Sequence, residues 1–280
     1  MRNFLPLLFL FCSSKSFSQL TQSKEVFDKM MAAMKGVKSC SFVIDMEEKV
    51  RGETKHYEYI VKQNTSPYKI YLYSIKPNPG TEALLIEGEN NNKVYVNPNR
   101  FPFINMSLNP YNPLVRKTHQ YTIWEMGFNY IHSVLDGYLK KYENSFYGFL
   151  SLEQDTVSKG KTYYKLVINK NDFRFDDYKV SAGETMTTIA EKLLVNDFMI
   201  LEANPKYKNY DDVKTGDVIR VPNFYGKKII LGVDKTTFLP MVQNIYDHKG
   251  LYSRIDFSSV VLNPNFTPMD FSKENKKYGF

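Results

Sequence analysis

Four histidines, His56, His119, His132 and His248, and two cysteines, Cys12 and Cys40, are the side chains best suited to metal or nucleophilic chemistry. Metal binding needs imidazoles or thiolates at short fixed spacings, as in HExxH, HxH or CxxC, and none of these occurs. There is no GxSxG elbow and no glycine loop of the kind that cradles phosphate. Cys40 falls on the apolar side of the alternating stretch SCSFVIDMEEKV, which suits a small core residue better than a nucleophile. Two carboxylates that cleave a glycosidic bond leave no sequence signature, so that chemistry stays open. The expectation is a non-enzymatic protein without metal or cofactor. Asn105-Met106-Ser107 and Asn265-Phe266-Thr267 match the glycosylation triplet, a match that is common by chance.

The more specific pattern is a binding pattern. From Asp177 to Pro222 a short strand (DYKVS) is followed by a turn (AGE), a helix (TMTTIAEKL), a second helix (DFMILEAN), a polar loop and a short strand (VIRVP). Ile189, Ala190 and Leu193 share one face of the first helix, and Met199, Ile200 and Ala203 one face of the second. With Tyr178, Val180, Ile219 and Val221 they make a minimal core for a unit of about 45 residues, close to the lower limit for folding alone.

Tyr178-Lys179-Val180, Gly183-Glu184-Thr185-Met186, Ile189-Ala190, Asn204-Pro205 and Lys214 to Pro222 resemble, in order, the LysM module, with Glu184 where that family usually has Asp. The resemblance implies a βααβ fold that binds N-acetylglucosamine polymers such as peptidoglycan. It places the groove between Gly183, Glu184, Thr185 and Met186 on one side and Asn204, Pro205, Lys206 and Tyr207 on the other. One shallow groove binds weakly and gains from the repeats of the polymer.

The remaining chain must carry this unit. MRNFLPLLFLFCSSKSFSQ has a basic start, an apolar run too short to span a bilayer and a small-x-small site, which is the layout of a signal peptide cleaved after Ser18. An acylated Cys12 fits less well, because Phe11 precedes it. Export to the periplasm or cell envelope is expected, with no transmembrane segment in the mature protein. Removing Arg2 and Lys15 leaves 35 basic residues (37 − 2) against 30 acidic ones, a scattered excess of +5 that excludes a nucleic-acid footprint. Such an excess fits an ordinary solubilising surface charge better than it fits residence near anionic polymers or lipid headgroups. Aromatics make up 15% of the chain, mostly Tyr and Phe, which favours β-structure.

Residues 21–36 place Val26, Phe27, Met30, Met31 and Met34 at helical spacing. An antiparallel meander follows: SCSFVIDMEEKV, HYEYIVKQN, YKIYLYSI, TEALLIEG and KVYVN, separated by polar turns. Residues 98–119, with four prolines, read as a loop wrapped over the sheet. Thr122 and Glu125 form a capping-box pair that starts a helix with an apolar stripe from Trp124 to Leu139. Strands resume at GFLSLEQDTV and KTYYKLVIN, and after the insert at KKIILGVD, FLPMVQNIYD and LYSRIDFSSVVLN, with DHKG as a hairpin turn; the tail MDFSKENKKYGF could pin an edge. KTYYKLVIN and KKIILGVD would form one hairpin with the small unit at its tip. The domains expected are a signal peptide at 1–18, a discontinuous host at 19–176 and 223–280, and the insert at 177–222.

Pro67-Tyr68-Lys69-Ile70-Tyr71, Gly80-Thr81-Glu82 with Gly88, Glu125-Met126-Gly127, and Leu239-Pro240 with Tyr246 to Gly250 resemble the periplasmic lipoprotein-carrier superfamily, LolA, LolB and relatives. The resemblance implies an α+β fold, a curved unclosed half-barrel capped by helices, and a lipid or lipoprotein acyl chain as ligand. Phe42, Ile44, Ile70 and Leu72 face inward and would line the hydrophobic cavity. A filled core, with the protein acting only as a cell-wall tether, and a peptidoglycan hydrolase with an unrecognised acid pair stay open beside the carrier.

Overall fold

The computed structural model describes residues 10–101 and 103–280. Residues 1–9 of the expected signal segment lie outside these, and residues 10–18 extend the first helix, α1 (Leu10–Lys35). Val26, Phe27, Met30, Met31 and Met34 are all buried, as a core-facing stripe should be. No described helix is long and apolar enough to cross a membrane.

The host then runs β1 (Ser39–Val50), β2 (Glu53–Thr65), β3 (Tyr68–Lys76), β4 (Glu82–Ile86), β5 (Val94–Asn97), β6 (Met106–Leu108), α2 (Pro113–Arg116), α3 (Phe128–Tyr142), β7 (Leu150–Ser158) and β8 (Lys161–Asn169). The insert supplies β9 (Phe175–Lys179), α4 (Met186–Leu193), α5 (Asp197–Ala203) and β10 (Val218–Pro222), and β11 (Lys228–Asp234), β12 (Pro240–Tyr246) and β13 (Leu251–Leu262) complete the host. Eleven strands form one antiparallel sheet in the order β6-β5-β4-β3-β2-β1-β13-β12-β11-β8-β7. Its edges, β6 and β7, do not pair with each other, so the curved sheet stays open. The fold is α+β, as expected.

Alternation sets the two faces. In β1, Cys40, Phe42, Ile44 and Met46 turn inward and are buried. On the outer face Tyr71, Leu84 and Ile86 are covered by the C-terminal tail: Phe271 packs there, the Tyr278 ring stacks on Tyr71 at 3.9 Å, and Asp270 pairs with Lys62 at 2.7 Å. The tail therefore covers the outer face of β3–β5 and does not pin a strand edge.

The Thr122–Glu125 capping box forms, but it closes a single 3-10 turn at Ile123–Glu125, and α3 begins only at Phe128. Gly127 causes the break. Its φ is +83°, and a Cβ there would stand 2.3 Å from the Gln63 side-chain oxygen.

β9 and β10 pair only with each other, from Phe175 opposite Pro222 to Lys179 opposite Val218. Thr185 caps α4 and Asn196 caps α5, each side chain accepting a backbone N–H one turn on. Val180, Met186, Ile189, Ala190, Ile200, Val213, Ile219 and Val221 make a separate apolar cluster. β8 and β11 pair up to Asn169 and Lys228, and the Lys170 N–H donates to the Lys227 carbonyl at 2.9 Å, closing the loop behind the insert. The unit also leans on its host. Phe198 and Met199 enter the main core, and the Tyr138 hydroxyl donates to the Leu194 carbonyl at 2.6 Å.

Candidate functional site

The two loops expected to read a glycan lie on the insert. Gly183, at φ +77° with open space around its Cα, forms the exposed turn between β9 and α4. Glu184 is held inside its own loop: its carboxylate accepts from the Tyr178 hydroxyl at 2.8 Å and the Ser181 N–H at 2.9 Å, and pairs with Lys192 at 3.0 Å. The Ser181 amide, with Lys192 and Tyr178 beside it, lowers the Glu184 pKa to about 2. Thr185 is spent on the α4 cap. Met186 is fully buried, and its N–H donates to the Tyr210 carbonyl at 2.8 Å.

In the second loop, Asn204 is buried and accepts from the Arg220 N–H at 2.9 Å while donating to the Ile200 and Arg220 carbonyls, each at 2.8 Å. Asn204 thus locks α5 to β10, as Met186 locks α4 to the loop before β10. Both side chains lie inside the unit and leave a glycan only the backbone around them. Pro205 and Lys206 are exposed, and Tyr207 is half-buried with its hydroxyl on Asp217 at 2.8 Å. These three, with Gly183, are the accessible members of the expected set.

The expected cavity residues divide. Ile44 lines a partly open cavity of about 50 Å3 between α3 and the sheet, a volume that suits a few water molecules. Phe42 packs against Phe128 and Phe257, with ring centroids 6.0 and 5.2 Å away, and Ile70 is fully buried; neither lines an open space. Phe42 and Ile70 are thus packed into the core, while Ile44 borders the small cavity beneath α3. Leu72 alone of the four borders a larger opening.

That opening follows from one row of side chains. Phe42, Val61, Leu72, Ala83, Val96 and Met106 sit opposite one another across β1 to β6. Phe42 is 2% exposed, Val61 0%, Leu72 7% and Met106 40%, so cover thins from β3 toward the β6 edge. α1 packs on β7 and α3, while α3 covers β1 and the strands beyond it. The segment from β6 to Met126 lies over β2–β5. Between that segment and the sheet runs a groove of about 510 Å3, lined by Tyr57, Tyr59, Leu72, Ala83, Val96, Leu108, Val115 and His119, within the range of ligand pockets. The Tyr57 and His119 rings meet at 4.2 Å, and burial beside the Arg116 guanidinium lowers the His119 pKa to about 4, so the ring is neutral at pH 7. The β5–β6 connection bears Phe101, 87% exposed, with Phe103 at 69% and Ile104 at 61%. Sequence reasoning missed this groove. Its signal was the apolar alternation of β2–β5 beneath a proline-rich cover.

Catalytic readings find little support. Burial pushes the Cys40 thiol up to about 12, away from the reactive thiolate. Among the described residues no group of three His, Cys, Asp or Glu side chains converges to hold a metal ion. Glu125 and Asp197 do meet, at a pocket of about 250 Å3 between host and insert. Their four oxygens are already bonded or paired within the protein. Asp197 accepts from Arg116 at 2.6 Å and Thr187 at 2.9 Å, and Glu125 accepts from the Thr122 N–H at 2.6 Å and the Tyr130 hydroxyl at 2.9 Å. These bonds hold both carboxylates in place at the junction of the two units.

A family model described as "Protein of unknown function (DUF1571)" matches residues 37–196, from the start of the sheet to the cap of α5. No curated protein matches the sequence. Among solved structures the fold is similar to a LolA superfamily protein from Nitrosomonas europaea, at 11% identity and TM-score 0.34 over 90% of this chain and 97% of that one. It is also similar to lipoprotein LppX from Mycobacterium tuberculosis, at 11% identity and TM-score 0.40 over 87% and 97% of the two chains. LprF from Mycobacterium bovis matches at 14% identity and TM-score 0.41 over 89% and 96%.

Proposed function

The chain belongs to the DUF1571 family of proteins of unknown function, and we propose that it is a non-enzymatic binder of a lipid or lipoprotein acyl chain, held at the cell wall by its insert. The observation that carries this reading is the groove of about 510 Å3 left by the thinning cover over β2–β5. An acyl chain suits a trough walled by Leu, Val, Ala and tyrosine faces, because burying it removes about 25 cal/mol for each Å2 of apolar surface withdrawn from water. The exposed Phe101, Phe103 and Ile104 support the same reading, since a solvent-facing apolar tip next to the groove would partition into a bilayer surface. Export by the expected signal segment, with residence in the periplasm or envelope, completes it. Mass spectrometry of an organic extract, with uptake of an apolar dye by the stripped protein, tests the carrier role; no lipid and no dye uptake would leave a tether with a filled core.

The insert carries the second half of the proposal. A closed βααβ unit with its own apolar cluster supports the LysM reading. Gly183, Pro205, Lys206 and Tyr207 would then meet N-acetylglucosamine units of peptidoglycan. Pull-down by purified sacculi, compared with a Pro205→Gly, Lys206→Glu variant of the full chain, is the test. Equal pull-down removes the glycan role from these loops.

A further inference from the structure

A second opening lies at the seam of host and insert, and its character is the opposite of the groove. It has a volume of about 650 Å3, and Arg51, Lys117, Lys208 and Lys249 line it. These four come from four separate segments: the β1–β2 turn, the stretch after α2, the loop after α5 and the β12–β13 turn. All four are exposed, and none forms an ion pair among the described residues. The one carboxylate in the lining is Glu202, which accepts the Arg51 backbone N–H at 3.0 Å. At the base lies Arg116, buried and paired with Asp197, with its Nε and Nη1 lacking a hydrogen-bond partner among the described residues. Four exposed cations around one lining carboxylate make a positive local potential that attracts an anion.

The cleft and the apolar groove share a wall. In the segment 113–119, Pro113, Arg116 and Lys117 border the cleft, while Val115, Thr118 and His119 border the groove. The β1–β2 hairpin repeats the division, with Arg51 and Gly52 at the cleft and Thr54 to His56 at the groove. Neighbouring Cα atoms are about 3.8 Å apart, so the two compartments are separated by little more than one thickness of chain. The geometry points to an anionic amphiphile as the ligand: its chain in the groove and its negatively charged headgroup, a phosphate or carboxylate, in the cleft. This rests on the carrier reading and adds the class of lipid. The shared wall favours an amphiphile over an anionic polymer, which would have no use for the adjoining apolar trough.

The test uses the full chain and monomeric short-chain probes. Dihexanoyl phosphatidylglycerol, dihexanoyl phosphatidylcholine and glycerol phosphate are titrated by calorimetry into the wild type and into an Arg51→Asn, Lys117→Gln, Lys208→Gln, Lys249→Gln variant. All four positions are surface ones, and near-ultraviolet circular dichroism checks the fold. If each exposed cation contributes a factor of roughly two to three, the wild type prefers phosphatidylglycerol by about thirtyfold at low salt. Added salt erodes that preference, and the variant lacks it while binding phosphatidylcholine unchanged. Equal wild-type affinity for the two lipids, or a preference that survives in the variant, overturns the headgroup proposal and leaves the groove standing. Binding of neither lipid sinks the carrier reading itself. Binding of glycerol phosphate alone makes the cleft a simple anion site, and loss of sacculus pull-down with the lipid preference intact assigns it to the cell wall; either result overturns the amphiphile.

Discussion

The Arg116 guanidinium donates to the Asp197 carboxylate at 2.6 Å, and both side chains are buried, at 1% and 5% exposure. Arg116 ends α2, the helix that covers the groove, and Asp197 begins α5 of the insert. One ion pair thus fastens the groove's cover to a residue of the insert 81 positions later in the chain.

Asp197→Ala should destabilise the protein by about 3 kcal/mol, because the buried guanidinium would keep two neutral acceptors, the Tyr210 hydroxyl at 2.8 Å and the Gln120 carbonyl at 3.3 Å, and as its nearest carboxylate only the more distant Glu125 at 3.9 Å. Chemical denaturation reads this directly. A loss below about 1 kcal/mol would mean that water reaches Arg116 and that the cover is not fastened in this way.

Ala83→Phe should block the groove without unfolding the sheet. Ala83 is half-buried between Leu72 and Val96, and a ring added there projects into open volume. Apolar-dye uptake should fall about tenfold, a change equivalent to about 1.4 kcal/mol, with the melting temperature nearly unchanged. Undiminished uptake would place the ligand elsewhere.

Glu48 gives a pH prediction. Burial raises its pKa to about 8, against the single compensating N–H of Gln120 at 2.8 Å and the more distant Arg116 charge. Since the folded state holds this proton more tightly than the unfolded chain, stability falls as pH rises from the ordinary carboxylate value to about 8. Glu48→Gln removes that slope. Its melting temperature should match the wild type near pH 4 and exceed it by a few degrees above pH 8. A difference constant across that range would show that Glu48 ionises as freely in the folded protein as in the unfolded one.

Asn204→Ala should loosen the insert selectively. Three hydrogen bonds to the backbone would go, at a cost of about 2–3 kcal/mol in a unit with little stability of its own. Hydrogen exchange should rise in α4, α5 and β10 and stay low in β1 and β13. Uniform acceleration across the chain would show that insert and host unfold as one body.

Much of the fold was legible in the sequence because its signals are local. The period-two alternation of β1, the methionine stripe of α1 and the change of pattern at Asp177 each reflect side chains within a few positions of one another. The closure of β8 on β11 behind the insert followed from the same reading. What stayed hidden depends on which distant segments arrive over which face. Phe42 and Leu72 have the same inward pattern, yet α3 covers the first and leaves the second at the margin of the groove. Met186 and Asn204 fit a binding motif, yet packing inside a small unit takes up their side chains. Residues 113–119 form a wall between an apolar trough and a cationic cleft, with Arg116 held there by Asp197. The sequence by itself determined most of the strands and helices and the change of pattern at Asp177, since backbone preference and hydrophobic period act locally. The tertiary structure alone decided where the interior is full and where it is open, because packing depends on contacts between residues that the chain order keeps far apart.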